Sequence, residues 1–268
     1  MGLVPSFLRL IIREMNQNEF EGPVLTLGVP DIPVTYEQAL TLFAKEGVEP
    51  CEVPPGEREL SGSLLLRSEL KSGRQLIHAR TFFRMLGLRE IHGLDASDQE
   101  APDLIHDLQT PVPAAWHGRY GLVIDCGTTE HILDVRSTLS NTVRMLRVGG
   151  SVLHFNPVAG WPNHGFFQLS PCLFYDFYGE NGFRPLDAKI VQLPTGNICG
   201  AARVCEYQHT LSTLNLTDPA YRCTFFFAAL KVRDVPEIRM PVQGKYRPRM
   251  TSHKSALAAA VRNAPHAA

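Results

Sequence analysis

Four places along this chain carry side chains whose types and spacing could do chemistry. Asp95 closes an apolar run in Gly93-Leu94-Asp95-Ala96-Ser97. A carboxylate at a strand tip can accept two hydrogen bonds from a ribose diol. With Ser97 and Asp98 beside it, capping the next helix is an equally good use. Asp107 follows in Leu104-Ile105-His106-Asp107-Leu108. Its carboxylate could accept from an adenine amino group while Leu108 packs on the ring, although a turn carboxylate ahead of Pro111 is the plainer use. The third place is Asp125-Cys126-Gly127-Thr128-Thr129-Glu130-His131. Gly127 would let a ligand approach the backbone closely, and Glu130 with His131 could form an acid–base pair working near neutral pH. A solvent-facing helix start competes with that use.

The fourth place is the loop Pro157 to Pro171, PVAGWPNHGFFQLSP. Trp161, Asn163, His164 and Phe166 give the polar-aromatic mixture of a pocket wall, and loops carry function more often than scaffolds do. The competing use is satellite core. His164 and His131 are the candidate general bases, and Trp161, Asn163 and Phe166 the candidate substrate contacts. No cluster demands a metal; Asp125 with Glu130 comes nearest.

These residues need strands to hold them at one edge. Continuous apolar runs predict buried strands at Val24–Gly28, Ile91–Leu94, Gly121–Asp125, Ser151–Phe155, Ala188–Leu193 and Thr224–Val232, covered on both faces. Between them lie helical patterns. The clearest is Asp134 to Val148, with Val135, Leu139, Val143 and Leu146 at helical spacing. Asp134 caps it, and Gly149-Gly150 is expected to end it in a left-handed turn. Others are predicted at Thr35–Lys45, Arg80–Leu86 and Leu169–Asn181, and an amphipathic one near Phe7–Ile12. Strand, helix, strand with short links implies a parallel, doubly wound α/β sheet. Residues 1–235 read as one domain. Within it, residues 30–73 read as an inserted lid or interface through which a homo-oligomer could form. Residues 236–268 read as a basic, Pro/Ala-rich tail that is frayed or ordered only by docking.

Composition sets the boundaries. The chain has 268 residues, 44% of them apolar, with 26 Lys plus Arg against 27 Asp plus Glu. That excludes disorder over most of the length and argues against a nucleic-acid or membrane partner, since both require a positive field. No run approaches the ~18 apolar residues of a membrane span. Six cysteines without a CxxC pair fit free thiols in a reducing cytoplasm. The hydrolase pattern GxSxG and the phosphate loop GxxxxGK[ST] are both missing.

Taken in order, strand–Asp95, His-Asp107-Leu108, YGLVID followed by EHI, and an amphipathic helix running into MLRVGG before SVLHF resemble class I S-adenosylmethionine-dependent methyltransferases. The resemblance spans about residues 74–193. It implies a mostly parallel, Rossmann-like seven-stranded sheet whose last strand, TFFFAALKV here, is antiparallel. It further implies S-adenosyl-L-methionine as cofactor and a small-molecule acceptor such as a sugar, glycan or secondary metabolite. By position, Asp95 and Ala96 would hold the ribose, and Asp107 and Leu108 the adenine. Asp125, Cys126 and Gly127 would lie near the methionine part. The family's usual GxGxG loop is reduced here to Gly28 alone, in Leu27-Gly28-Val29-Pro30. A cofactor without phosphates demands less bare backbone than a dinucleotide does. The reduced loop also leaves open a methyltransferase-like binding or regulatory subunit without turnover.

Overall fold

A computed structural model describes residues 2–62, 73–209 and 215–247. Its centre is an eight-stranded sheet: β1 (Val24–Leu27), β2 (Ile91–Asp95), β3 (Leu104–Ile105), β4 (Tyr120–Asp125), β5 (Leu146–Ala159), β6 (Phe183–Pro194), β7 (Arg203–Glu206) and β8 (Tyr221–Lys231). The spatial order is β3-β2-β1-β4-β5-β8-β6-β7. Strands β3, β2, β1, β4 and β5 are mutually parallel. TFFFAALKV, but for its last residue Val232, lies in β8, antiparallel to both β5 and β6. The Rossmann-like α/β order expected from the sequence is therefore present. The strand count is one higher than seven, because β7 adds an antiparallel outer edge on β6.

The helices are α1 (Pro5–Gln17), α2 (Tyr36–Lys45), α3 (Ala79–Met85), α4 (Val135–Met145) and α5 (Pro171–Glu180). They divide between the two faces. Phe7 and Ile11 of α1, Phe43 of α2 and Phe82 of α3 pack with Leu122, Ile124, Leu153 and Phe226. Leu139 and Val143 of α4 and Phe174 and Phe177 of α5 pack with Val123, Val152, Phe225 and Phe227. Successive residues of β4 and β8 thus feed opposite cores, as the two-residue period of a strand requires. Each fully buried phenylalanine contributes roughly 1.5–3 kcal/mol by leaving water. Helix α2 lies inside the segment expected to be a lid or an interface, and its Ala39, Leu42 and Phe43 are buried in the first core. Residues 63–72 of that segment lie outside the described residues.

Asp134 caps α4 as expected, accepting from the Ser137 amide at 3.0 Å. The helix stops at Met145, three residues before the expected end, because Leu146 already pairs with Tyr120 of β4. Gly149, at φ +82°, serves a register shift inside β5 instead of a helix terminus. Of the C-terminal tail, residues 236–247 dock on α5: the Arg239 amide donates to Asn181 Oδ1 at 2.8 Å and the Gly244 amide to Asp176 Oδ2 at 3.0 Å. The remainder, 248–268, lies outside the described residues. Among the described residues no helix is long and apolar enough to cross a membrane.

Candidate functional site

Strand order reverses between β1 and β4, the switch point at which open α/β sheets bind ligands. A crevice of about 590 Å³ opens there, at the carboxyl ends of the parallel strands. Its walls include Gly28, Asp95, Ala96, Asp107, Leu108, Gly127, His131 and Phe166, all singled out from the sequence. Except for Phe166, which the 160–170 loop carries, they stand at or just past the ends of elements. Asp95 is the last residue of β2, and Asp107 stands two residues beyond β3. Gly28 follows β1 at φ +77°, and Gly127 follows β4 at φ +86°. A Cβ on Gly28 would stand 3.0 Å from Thr128 Oγ1 and 3.9 Å from Asp95 Oδ2. The missing side chain therefore keeps the crevice floor open beside that carboxylate oxygen. Asp95 Oδ1 is occupied by its own turn, accepting from the Ser97 amide at 2.9 Å. Asp107 Oδ1 likewise accepts from the Gln109 amide at 2.9 Å.

Two acidic residues of this wall escaped the sequence reading: Asp31, just past the first strand, and Glu100, five residues after Asp95. Burial, then the charges of Asp31 and Asp95, push the Glu100 carboxyl upward. Among the described residues the lining carries four carboxylates and no Lys or Arg. No periodicity would have revealed Asp31 and Glu100, because each lies in irregular backbone beyond a strand.

Several expected site residues lie elsewhere. Asp125 is completely buried and does not line the crevice. Its carboxylate accepts from the Thr128 amide (2.8 Å), Thr129 Oγ1 (2.5 Å) and Asn156 Nδ2 (2.9 Å), and meets His154 Nδ1 at 3.0 Å. Burial raises its pKa, but these partners outweigh burial and hold it at about 2. Asp125 is thus a tie between β4, the following turn and β5, with no free face for a cofactor. Cys126 is also buried off the crevice; desolvation, then the Asp125 charge, pushes its thiol well up. Trp161 is buried, donates from Nε1 to the Cys223 carbonyl, and has the Arg222 guanidinium 5.0 Å above its ring. It is loop packing, not a crevice wall. Asn163 is exposed, holds φ +60° and stays outside the crevice.

His164 does not line the crevice either, but it touches a residue that does. Its ring centroid is 4.9 Å from that of His131. Between the two imidazoles sits Glu130, completely buried on a single 3-10 turn, Thr129–His131. Glu130 Oε1 is 3.6 Å from His164 Nε2 and 4.0 Å from His131 Nε2. Burial, then Glu130 in the opposite sense and His164 in the same sense, shift the His131 imidazole below its ordinary pKa. That favours the neutral form, which can accept a proton. The sequence paired Glu130 with Asp125 as the nearest thing to a metal site. The fold instead pairs it with two imidazoles, one brought by a loop 34 residues downstream of Glu130.

No family model matches this chain, and none of the curated proteins does. Solved structures share a likeness at low identity. The YcgJ protein of Bacillus subtilis is 11% identical, with 85% of this chain and 99% of that chain covered and a TM-score of 0.40. The 1,6-didemethyltoxoflavin-N1-methyltransferase of Burkholderia thailandensis, solved with S-adenosylhomocysteine, is 11% identical over 85% and 78%, with a TM-score of 0.41. A SAM-dependent methyltransferase of Thermotoga maritima is 14% identical over 85% and 92%, with a TM-score of 0.38.

Proposed function

We propose that this chain is an S-adenosylmethionine-dependent methyltransferase acting on a small molecule. The observation that carries the proposal is the crevice at the switch point, where Asp95 and Asp107 share one wall lined, among the described residues, by carboxylates and by no cationic side chain. A sulfonium cofactor with an ammonium group suits that field. The pyrophosphate of a dinucleotide, or a polyanionic acceptor, would be repelled by it. The open floor at Gly28 is the second point of fit.

In this reading Asp95 holds the ribose through Oδ2. Asp107 accepts from the adenine amino group, and the buried Leu108 packs on the ring. Ala96 and Gly127 present short side chains or bare backbone to the nucleoside and the methionine part. Asp31 and Glu100 add negative charge for the ammonium. When bound, the cofactor supplies a methyl group already activated on sulfur. The chain's task is then to position the acceptor and take its proton. His131 stands in the crevice wall for that purpose, with His164 against its ring. Phe166, 68% exposed at the crevice, offers the acceptor an apolar face. The six free cysteines support a reducing, cytoplasmic setting.

Calorimetric titration with S-adenosylhomocysteine tests the proposal. The expected result is micromolar binding, weakened at least about tenfold, or 1.4 kcal/mol, in Asp95→Ala. Absence of heat with the wild-type chain, or an unchanged affinity in Asp95→Ala, would overturn it.

A further inference from the structure

The structure assigns a divalent transition-metal site to Glu130, His131 and His164. Their ligand-capable atoms all lie within 4.8 Å of one another. The inference goes beyond methyl transfer and needs only these three side chains. Glu130 is completely buried, yet its Oε1 has no hydrogen-bond partner among the described residues. Leaving a buried carboxylate oxygen unsatisfied is costly. His164 Nε2 is buried and unpartnered in the same way, 3.6 Å from that oxygen. His131 Nε2 stands at 4.0 Å. Both separations are too long for hydrogen bonds. A tetrahedral ion with bonds of about 2.1 Å holds its ligand atoms ~3.4 Å apart; the first separation is near that value and the second is longer than it.

The surroundings fix the carboxylate. Glu130 Oε2 accepts from Asn156 Nδ2 at 3.0 Å, and the same amide donates to Asp125 Oδ2. Such outer partners orient a metal ligand. The His164 loop is seated directly on Glu130: the Phe167 amide donates to the Glu130 carbonyl at 3.2 Å. A Cβ on Gly165 would stand 2.8 Å from that carbonyl oxygen. Two imidazole nitrogens and one carboxylate suit zinc, cobalt, nickel or iron(II) better than magnesium or calcium. Three protein ligands leave a coordination position open. His131 belongs to both the trio and the crevice wall, which puts the ion at the crevice's acceptor end; an ion on its Nε2 occupies the lone pair that the metal-free chain would use to take the acceptor's proton.

The test uses the full chain, stripped with a chelator and titrated with Co²⁺ by visible absorption and with Zn²⁺ by calorimetry. The expected result is one equivalent bound, without the thiolate charge-transfer band that exposed Cys51, Cys199 or Cys205 would give. His164→Ala and Glu130→Gln should each weaken binding by more than about tenfold, with folding checked by circular dichroism. If the buried Glu130→Gln fails to fold, His164→Ala, in a partly exposed loop, decides the matter. No saturable signal from the wild-type chain with either ion, a thiolate band, or unchanged affinity in His164→Ala would overturn the assignment. The titration with S-adenosylhomocysteine is independent of this one, so either reading can fail alone.

Discussion

Two histidine–carboxylate clusters lie side by side in this molecule, joined by one asparagine. In the first, His154 is completely buried between Asp125 Oδ2 at 3.0 Å and Tyr178 Oη at 2.6 Å. Thr128, Thr129 and Asn156 supply further donors to Asp125. In the second, Glu130 accepts from the same Asn156 with one oxygen, while the other faces two imidazoles beyond hydrogen-bond reach. Burial of the carboxylate is equal in the two clusters; satisfaction is not. A closed polar network ties strands together. A buried carboxylate left half-bonded beside a crevice is kept for a ligand, and proteins commonly give up stability for that purpose.

The widest gap between the clusters should appear on truncation. Asp125→Ala removes the shared acceptor of His154, Thr129 and Asn156. The expected loss is about 3–5 kcal/mol of folding stability, as for breaking a buried pair by removing one partner. Urea unfolding measures it. A loss below about 1 kcal/mol would show that the closed cluster is not the tie described, and the contrast would fail.

The next effect concerns pH. The Asp125 carboxyl, at about 2 in the fold, contributes stability that is present above the ordinary carboxylate range and lost as pH falls toward 2. Glu14 behaves oppositely. It is buried on α1, and burial, then a hydrogen bond with Asp187, raises it to about 8. Its fold therefore prefers the protonated form. Stability from Glu14 is complete below about pH 4.5 and is lost as pH rises through about 8. Urea midpoints should decline from pH 5 to pH 8, by at most about 1.4 kcal/mol per pH unit from this group. Glu14→Gln should flatten that decline, whereas a slope unchanged in Glu14→Gln would assign it to other groups.

A smaller effect sharpens the contrast at the second cluster. Gly165→Ala would push a methyl group against the Glu130 carbonyl and to 3.1 Å from its Cγ. Because the nearest neighbour is a backbone oxygen at 2.8 Å, the loop must shift, at a cost of roughly 1–3 kcal/mol. Co²⁺ affinity should fall while S-adenosylhomocysteine affinity holds, since Gly165 is not a crevice residue. Loss of both together would mean that the loop shapes the whole crevice.

How much of this could be read from the residues alone follows from what each signal reports. The apolar runs of β1, β4, β5 and β8 are buried on both faces, so hydrophobicity alone located them. Strand β7 is exposed at all four positions and left no such trace. Carboxylates past strand tips led to Asp95 and Asp107, both in the crevice wall, but the same rule also drew in Asp125, whose partners are internal. His154 carries no such signal because it sits inside SVLHF, where a strand pattern says nothing of what a polar side chain meets across the sheet. The Glu130–His164 proximity depends on a loop folding back over the 3-10 turn, a contact that no spacing encodes.

The smallest expected effect is the most telling about the comparison. Glu130→Gln keeps the shape of the side chain and exchanges a buried, half-bonded carboxyl group for an amide. In the metal-stripped chain its folding stability should lie within about 0.5 kcal/mol of the wild type, or above it, because no direct ion pair of hydrogen-bonding geometry is lost. Adding Zn²⁺ should then separate the two proteins. The wild type gains about 2.7 kcal/mol at a hundredfold excess over its dissociation constant, and the variant gains little. Thermal unfolding with and without Zn²⁺ reads both halves of that prediction. A large loss already present in the stripped variant would mean that Glu130 is a structural tie like Asp125, held by charged imidazoles, and the two clusters would then differ only in distance.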